Sequence, residues 1–552
     1  MIDFNKEAEE QLHDVETSEP VVENGSEFND DQSQVPVLET DADDIDSTAD
    51  LVSLDGSSRP VLSQDDAALQ TAPIDNLEED MSKKSVLDQL LAYSKAFQRF
   101  VAENGQVFVG YKFNRRFETH PVEATFIKRF LTKRYFDDTR KALSKSKFKE
   151  WSEIYSINAV IEVEQSQVHT RVAKIDDAYY LDTADADGHI VRIGADGWTI
   201  LDDPTLPFFR PYSMLPIVLP DGGGSIDDLR EFTNISDDDF KMLIAFIIEC
   251  FRPDTPKPIL YINGEPGSSK TTLLKIIMAL VDPSLQSVVS LPKSQRDLLI
   301  FARNARLLPF DNLSTITSQM SDALCGIATG AGMRTRKLYT DTEEIIFNAR
   351  RPVILSGIDD FITRQDLLDR CIMIKTLPMA PDERRDERSF WLDFDNKKSQ
   401  ILGALLTAFS EALSCYDSVS ESVNTRMKEF ALLGVALEQS DSVGWDEGAF
   451  QQALRDNRRN AIESLLEDDL IADYIREYKA TNGSWSGNNK QLLKQIITKY
   501  PNVNDLPQSA KGLSNHLRKI AGFLREIGVN VTMPNGVDWQ PGVSSIREVK
   551  FC

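Results

Sequence analysis

The spacing of apolar residues along the chain predicts helices interrupted by one β-rich segment. Residues 85–103 place apolar side chains at helical spacing. Residues 153–213 differ, because short β-branched and aromatic runs are separated there by Asp-Gly turns, which predicts strands. The runs are IYSINAVIEV, VHTRVAKI, AYYLDT, HIVRIG and GWTIL. Residues 225–251 return to helical spacing and predict two helices capped by Ser225 and Ser236.

An apolar strand, a glycine-containing loop and an apolar helix follow one another near the middle of the chain. Residues 259–262 predict the strand and residues 273–280 the helix, with GEPGSSKTT between them. This is the context of a P-loop, in which backbone N–H groups surround phosphate oxygens at the positive end of a helix dipole. The residues expected to bind nucleotide are Gly264, Glu265, Pro266, Gly267, Ser268, Ser269, Lys270, Thr271 and Thr272.

Three residues of this loop differ from the rest, because two have specific predicted roles and one departs from the usual pattern. Lys270 is expected to contact the β- and γ-phosphates, and the Thr271 hydroxyl to bind Mg²⁺, so that ATP and Mg²⁺ are the predicted cofactors. Ser269 stands where the pattern GxxxxGK[ST] has its last glycine. Serine is small, and the P-loop therefore remains the prediction.

A second buried strand ends in a carboxylate about 40 residues downstream, in the sequence ARLLPFDN. This is the Walker B arrangement, in which Asp311 reaches the magnesium shell; an ordinary strand ending in a turn is the alternative. Asn312 follows, where most ATPases of this type have an acid that orients the attacking water. Because asparagine cannot accept the proton of that water, the rate of hydrolysis is left open.

Two further motifs predict groups near the γ-phosphate. RPVILSGI is an apolar strand that would place Ser356 there as a sensor. TRQDLLDR then supplies Arg364 and Arg370, either of which would reach the nucleotide of a neighbouring subunit and stabilise developing charge. A salt bridge from Arg370 to Asp366 or Asp369 is the competing interpretation.

Residues 330–349 (GAGMRTRKLYTDTEEIIFNA) predict a β-hairpin with a basic flank. Such a row of cations would hold a phosphate backbone at the centre of a ring, although a solvated edge strand protected by charge has the same pattern. The cations are Arg334, Arg336 and Lys337.

Charge is distributed unevenly within the net value of −27. Residues 1–80 hold 24 Asp or Glu against Lys6 and Arg59, which predicts a disordered tail. That tail either keeps the protein soluble or competes with nucleic acid for a basic surface or partner. Residues 83–150 reverse the sign, with 16 Lys or Arg against 7 acids. Their interleaved aromatics suit either base stacking or a core.

Cysteine use and hydropathy exclude several classes of protein. Five cysteines lie far apart without a CxxC pair, which argues against a zinc ribbon or a disulfide framework and fits a reducing cytoplasm. No run of about 18 apolar residues is present, and the acidic start has no apolar signal core. We therefore expect neither a membrane span nor a secretory signal.

The order of five motifs resembles the ATPase domain of superfamily 3 helicases, and more closely the phage- and plasmid-type primase-helicases. The motifs are GEPGSSKTT, LPFDNLS, TRKLYTDTEE, RPVILSGI and RQDLLDR. The resemblance implies an AAA+-like core that forms hexameric rings, binds ATP between subunits and moves on single-stranded DNA. Many members have Asn where this chain has Ser356. Because no primase centre is evident, a separate primase or other replication protein is an expected partner.

The carboxyl-terminal residues predict three helices followed by a β-rich end. The first helix covers 461–476, the second begins at a cap near Ser486 or Asn488, and the third begins at Ser509. This order resembles a winged-helix DNA-binding domain, although some winged helices contact only proteins. The residues that would face DNA are Asn515, Arg518 and Lys519.

Together these patterns predict an α/β protein with five regions. The regions are a disordered acidic tail (1–82), a helical then β-rich collar or DNA-contacting region (83–224), a P-loop ATPase domain (225–415), a helical linker (416–460) and a winged-helix-like domain (461–552). The leading hypothesis is an ATP-dependent DNA helicase of a phage, plasmid or integrated element. The alternative is a nucleotide- and DNA-binding regulatory, assembly or initiator protein that hydrolyses ATP slowly.

Overall fold

The computed structural model describes residues 84–551 with short gaps. Outside the description lie residues 1–83, 114–115, 203, 332, 337–343, 348–349, 358–361, 363, 381, 383, 421–424, 468, 502, 504–505, 534–548 and 552. The predicted acidic tail and Lys337 of the predicted hairpin therefore fall outside the described residues.

The described chain begins with helices packed on a small antiparallel sheet. The elements are α1 (Val86–Tyr93), β1 (Gln98–Val101), β2 (Val107–Phe113), β3 (Arg116–Pro121), α2 (Thr125–Thr139) and α3 (Lys145–Glu162). The strands lie in the order β1-β2-β3. The Trp151 side chain is completely buried between the helices, and its indole N–H donates to the Ser94 hydroxyl at 2.9 Å. Several aromatics of this basic segment, including Phe130 and Tyr135, thus belong to a core.

The structure corrects one strand prediction. IYSINAVIEV was expected to be a strand, but it forms the second half of α3. The Ser144 hydroxyl caps this helix, and Phe148, Trp151, Tyr155 and Ala159 are buried at spacings of three and four residues, which is the helical period. The β-branched residues that suggested a strand lie mostly on the exposed face of the helix.

A four-stranded antiparallel sheet follows, in the order β4-β5-β6-β7. Its strands are β4 (Val172–Ile175), β5 (Ala178–Asp182), β6 (Ile190–Gly194) and β7 (Gly197–Leu201). They coincide with the other predicted strands, and the turns between β5 and β6 and between β6 and β7 contain the predicted Asp and Gly residues. The inward residues Leu181, Val191 and Ile193 join the core of the neighbouring helices.

The centre of the protein is a parallel sheet enclosed by helices. The strands that follow in the chain are β8 (Ile259–Asn263), β9 (Leu308–Leu313), β10 (Met333–Arg336), β11 (Glu344–Phe347), β12 (Val353–Gly357) and β13 (Cys371–Lys375). Four of these form the parallel sheet, in the order β13-β8-β12-β9. Parallel strands buried on both faces are continuous apolar runs, as ILYI and VIL are here.

The helices of this region are α4 (Asp237–Cys250), α5 (Lys270–Val281), α6 (Gln295–Asn304), α7 (Ser318–Thr329), α8 (Gln365–Leu368) and α9 (Glu387–Cys415). The hydroxyl of Ser236 accepts a hydrogen bond from the Asp239 N–H and caps α4, and Ser225 caps the preceding 3₁₀ helix Ile226–Phe232. Both predicted caps are therefore confirmed. Strands β10 and β11 form an antiparallel hairpin between α7 and β12, with Met333 opposite Phe347.

Residues 416–460, predicted as a linker, pack into the central core. They contain α10 (Lys428–Glu438) and the start of α11 (Ala449–Glu467), whose Phe430, Leu433 and Phe450 are buried among residues of α4 and α9. Helix α11 also covers the edge of the parallel sheet. The Asn457 amide accepts from the Met373 N–H at 3.0 Å and donates to its carbonyl oxygen.

The carboxyl-terminal region combines helices with a small antiparallel sheet. Its elements are α12 (Leu470–Asn482), β14 (Trp485–Gly487), α13 (Asn489–Lys499), α14 (Ala510–Glu526), β15 (Val531–Thr532) and β16 (Val549–Phe551). The strands lie in the order β14-β16-β15. Asn488 caps α13 and Ser509 caps α14, as the sequence predicts. No helix in the described part of the chain is long and apolar enough to cross a membrane.

A buried ion pair joins the four-stranded antiparallel sheet to the parallel sheet. Arg171 is completely buried, and its Nε lies 2.9 Å from Asp282 Oδ1, directly after α5. Asp282 Oδ2 accepts from the N–H groups of Arg306 and Leu307, directly before β9. Arg171 also donates to the carbonyl oxygens of Asp182 and Leu215. One carboxylate thus fixes three segments of the chain.

We predict that Arg171→Ala strongly destabilises the protein, because it leaves the Asp282 charge buried without its cation. The expected loss is about 3–5 kcal/mol of unfolding free energy, measured by denaturant titration. Arg192→Ala is the matched control, since Arg192 pairs with exposed Asp196 at 3.0 Å and should cost at most about 1 kcal/mol. Equal losses in the two variants would contradict this assignment.

Candidate nucleotide-binding site

The loop of residues 264–269 joins β8 to α5 through unusual backbone angles. Gly264, Gly267 and Ser269 have φ values of 150°, 80° and 70°. Glycine adopts positive φ without steric cost, whereas serine at Ser269 adopts it against its preference. The sequence prediction that serine keeps the turn of the missing glycine therefore agrees with the backbone observed here.

The loop is held against the end of β13. A Cβ atom on Gly264 would lie 2.2 Å from the hydroxyl oxygen of Thr376, so that no side chain fits at this position. The buried Ser268 hydroxyl contacts the same Thr376 oxygen at 2.6 Å and also donates to the Glu265 carbonyl at 2.7 Å. These contacts fix the loop at the carboxyl-terminal edge of the parallel sheet.

The Lys270 side chain folds back over the loop. Its ammonium group donates to the carbonyl oxygens of Gly264 at 2.8 Å and Glu265 at 2.7 Å. Burial lowers the pKa of Lys270, and the charge of Asp311 opposes that shift in part. The cation therefore lies above the N-terminus of α5 and within the electrostatic influence of the Asp311 carboxylate.

Thr271 and Asp311 meet directly, although they are 40 positions apart in the chain. The Thr271 hydroxyl donates to Asp311 Oδ2 at 2.7 Å, and Asp311 is only 6% exposed. Strands β8 and β9 are parallel with β12 between them, so that the loop after β8 and the carboxyl-terminal half of β9, which contains Asp311, reach the same edge. A hydroxyl and a carboxylate oxygen are hard ligands of the kind that Mg²⁺ takes, together with water and phosphate oxygens. The two side chains fit the predicted metal role.

Asn312 directly follows the carboxylate and is exposed. Its φ is 56°, a left-handed conformation that asparagine tolerates better than most residues, and its N–H donates to Asp311 Oδ1 at 2.8 Å. The backbone therefore bends around the Asp311 carboxylate. The amide of Asn312 can hydrogen-bond a water molecule but supplies no base.

Ser356 lies on β12, between the strands that carry the loop and Asp311. It is completely buried, and its hydroxyl has no hydrogen-bond partner within the described part of the chain. A buried hydroxyl without a partner costs about 1–3 kcal/mol. Such a group is suited to a ligand oxygen or a water molecule at this edge of the sheet.

Both candidate arginines are paired within the chain. Arg370 Nη1 lies 2.5 Å from Asp366 Oδ1, which is the competing interpretation given for this residue. Arg364 pairs with Asp322 at 2.8 Å. Asp369 pairs instead with Arg458, at 2.8 Å, and with Arg426, at 3.3 Å. A role for either arginine at a neighbouring subunit's nucleotide stays a prediction.

Sequence reasoning missed two residues at the loop. Thr376 bonds Ser268, and Arg384 lies so close to Gly267 that a Cβ atom there would be 3.2 Å from its Nη2. Thr376 had a weak signal, because it is a polar residue directly after a buried strand. Arg384 had none, since it stands in the charged run DERRDER, which is typical of a solvated surface.

The predicted DNA-contacting residues lie on two separate elements. Arg334 and Arg336 belong to β10 of the hairpin. Helix α14 buries one face, including Leu513, Leu517 and Ile520. The residues exposed on the opposite face include Asn515, Arg518 and Lys519.

Comparison with known families identifies both parts of this architecture. Residues 226–459 match the family described as actinomycete integrative conjugative element replication protein, and residues 471–545 match the AICE RepA C-terminal domain. Together the two ranges include more than half of the 552 residues. The chain is a conjugative-element replication protein. This agrees with the expectation of a replication role in a mobile element, while the helicase class is narrower than the family description. No curated protein matches the chain.

The replication protein is also similar to three solved structures, all of the NrS-1 C-terminal region in its apo form. Sequence identities are 12%, 10% and 11%, and each TM-score is 0.38. The matches cover 86%, 84% and 83% of this chain and 99%, 97% and 97% of the solved chains. At that level of similarity, functional argument rests on the residues of the replication protein itself.

We predict that Ser269→Gly keeps or raises stability, because glycine removes the cost of positive φ, about 1–2 kcal/mol, against a smaller entropic loss. Ser269→Val should destabilise, since a β-branched side chain is strained at this φ. Thermal unfolding with and without nucleotide measures both variants. A destabilised Ser269→Gly protein would show that the serine side chain itself supports the loop.

Proposed function

We propose that this replication protein is an ATP-dependent DNA translocase or helicase with an AAA+-like P-loop core that assembles into a ring, with six subunits as the expected number. The observation that carries the proposal is the 2.7 Å contact between Thr271 and Asp311. It brings a P-loop hydroxyl and a Walker B carboxylate to one place. The strand order β13-β8-β12-β9 supports the same assignment, because the strand carrying Ser356 lies between the other two motif strands.

The described residues suit binding of a magnesium–triphosphate at this edge. Thr271 and Asp311 would hold Mg²⁺, which when bound supplies positive charge that neutralises phosphate oxygens. Lys270 is already held above the loop by carbonyl contacts and would exchange these for phosphate oxygens. Ser356 would donate its unpaired hydroxyl, and Arg384 would add a second cation beside Gly267.

Two elements support a DNA substrate. The β10–β11 hairpin lies between α7 and β12 in the chain, and its first strand contains the basic residues Arg334 and Arg336. The order of helices and strands over residues 470–551 is that expected of a winged-helix domain, and α14 would be its recognition helix. ATP-dependent movement of the hairpins along one strand, with the terminal domain binding duplex DNA, accounts for both.

The alternative of a slowly hydrolysing regulatory or initiator protein is favoured by one observation. Asn312 occupies the position from which a carboxylate would activate water, and it is exposed and close to Asp311. Without a base at this position, nucleotide binding rather than turnover would be the main event. The two functions share the nucleotide site and differ in the rate of the chemical step.

Lys270→Ala should abolish ATP hydrolysis that is stimulated by single-stranded DNA, because the charged hydrogen bonds of Lys270 to phosphate are lost. The expected decrease in nucleotide affinity is about 10–100-fold, from about 1.5–3 kcal/mol for such bonds. Lys275→Ala on the same helix is the matched control and should behave as wild type. If wild-type protein forms rings and binds ATP but neither hydrolyses it with DNA nor separates strands, the alternative function is correct.

Asn312→Asp tests whether the absence of a base at position 312 limits the rate of ATP hydrolysis. Aspartate tolerates the same left-handed backbone and supplies a base, so we expect the single-turnover rate of ATP hydrolysis to rise by about 10²-fold. Nucleotide affinity should change little, since Asn312 is not placed to hold the phosphates. An unchanged rate would show that another group activates the water.

A further inference from the structure

A cleft of ≈ 700 Å³ lies on the opposite side of the parallel sheet from the nucleotide site. One wall comes from the amino-terminal region and includes Phe108, Gln167 and His169, and the other includes Arg303 and Arg351. Arg351 lies just before β12, whereas Lys270 follows the carboxyl end of the neighbouring strand β8. A five-residue strand spans about 16 Å, so that the cleft and the P-loop occupy opposite edges of the sheet.

The cleft carries more positive than negative charge. Its lining contains Lys174 and the arginines at positions 303, 306, 350 and 351, against two acids, Glu103 and Asp254. Asp254 is already neutralised by Lys174, at 2.7 Å. The buried Asp282 carboxylate, which lies behind this lining, offsets part of the charge of Arg306 and Arg351. Arg303 and Arg350 form no salt bridge with an acid among the described residues, so the cleft keeps an excess of positive charge.

Carbonyl oxygens, rather than carboxylates, hold most of these arginines. Arg306 donates to the carbonyl of Cys250 at 2.7 and 2.9 Å, and Arg351 donates to that of Ala302 at 2.9 Å. Arg303 is half-buried, and no residue in the described ranges accepts a hydrogen bond from it. Carbonyl groups satisfy N–H donors but do not cancel a full charge, so an anion in the cleft would be stabilised.

The pKa shifts of the basic groups in the cleft agree with this excess of positive charge. Burial, together with the charge of neighbouring Arg306, lowers the pKa of Arg351 to about 9, and the Asp282 carboxylate opposes the shift in part. Burial lowers the pKa of Arg306 to about 10 and also lowers that of Arg303. His169 has its pKa lowered to about 4 by burial and by the charge of Arg351, so that this imidazole is neutral at pH 7. A bound polyanion would relieve the repulsion.

The cleft is continuous with the base of the hairpin. Arg350 and Arg351 follow β11, and Gly330 precedes β10. A Cβ atom on Gly330 would lie 2.7 Å from Cγ of Arg350, so the two ends of the hairpin segment meet beside the cleft. A nucleic acid strand held by the hairpin would therefore have a basic surface to follow toward the amino-terminal region.

The chemistry of the other wall favours nucleic acid over an isolated phosphate ion. Phe209 is partly exposed and packs edge to face on buried Phe108, with ring centres 5.9 Å apart, and the exposed amides of Asn104 and Gln167 line the same cleft. Aromatic rings, amides and cations together are the groups that contact bases and backbone of single strands. We propose that this cleft binds single-stranded DNA as a continuation of the hairpin path, an inference that rests on the proposed DNA-translocating function.

Arg303→Glu in the full-length protein tests the cleft directly. We expect its affinity for a fluorescent oligothymidylate of about 20 nucleotides, measured by anisotropy, to fall by about 10-fold or more, with a smaller salt dependence. Arg303→Lys should retain most of the affinity. Arg296→Glu is the matched control, because it makes the same charge change on an exposed position of the same helix α6 and lies outside the cleft.

A second measurement keeps the test independent of folding. A benzophenone amino acid in place of exposed Gln167 should crosslink to the oligothymidylate, and excess unlabelled oligothymidylate should suppress the crosslink. Wild-type affinity in Arg303→Glu together with absence of the crosslink would overturn the proposal. So would binding of RNA but not DNA in the cleft, or competition by inorganic phosphate alone.

Measuring ATP hydrolysis as well as DNA affinity distinguishes a failure of the cleft proposal from a failure of the proposed motor function. Basal ATP hydrolysis without DNA should be unchanged in Arg303→Glu, since Arg303 does not approach the P-loop. If the wild-type protein fails to hydrolyse ATP but Arg303→Glu still loses DNA, the motor proposal fails and the cleft stands. If hydrolysis is stimulated by DNA equally in wild type and Arg303→Glu, the cleft proposal fails and the motor stands.

Discussion

The hydrogen bond between Thr271 and Asp311 is the constraint on which the functional interpretation depends. It forms because two parallel strands end at one edge of the sheet, with a third strand between them that carries Ser356. Changing the strand order would separate these groups, even if every local motif were preserved. The site is thus a property of the topology, to which the loop, the acid and the buried hydroxyl each contribute one part.

The same sheet gives the protein two chemically distinct edges. The carboxyl-terminal edge holds Lys270 and Asp311, whereas the opposite edge holds arginines bonded to carbonyl groups. Helix α5 has 12 residues, about 18 Å, and runs from the loop of residues 264–269 to Asp282 near the opposite edge. Asp282 in turn binds Arg171 of the amino-terminal region. A rigid displacement of α5 would therefore also move Asp282 and, through Arg171, the four-stranded antiparallel sheet β4-β5-β6-β7.

Local sequence signals predicted elements well where the physical cause is also local. The caps Ser225, Ser236 and Ser509 and the Asp-Gly hairpins were predictable, since a hydroxyl or a glycine acts on the next few residues. The strand expected over 154–163 was wrong, because the residues that decide the helical period, Phe148 and Trp151, lie upstream of that segment. The placement of Arg384 and the arginine cleft depends on long-range packing, which no local pattern records.

The amide of Asn457 has a consequence for how copies of this chain can associate. An outer strand normally presents open peptide groups that another chain can pair with, but here Met373 on β13 is bonded in both directions by a side chain of α11. Backbone pairing between copies is therefore blocked at this position. A second chain that met β13 at Met373 would therefore contact side chains rather than extend the β-sheet.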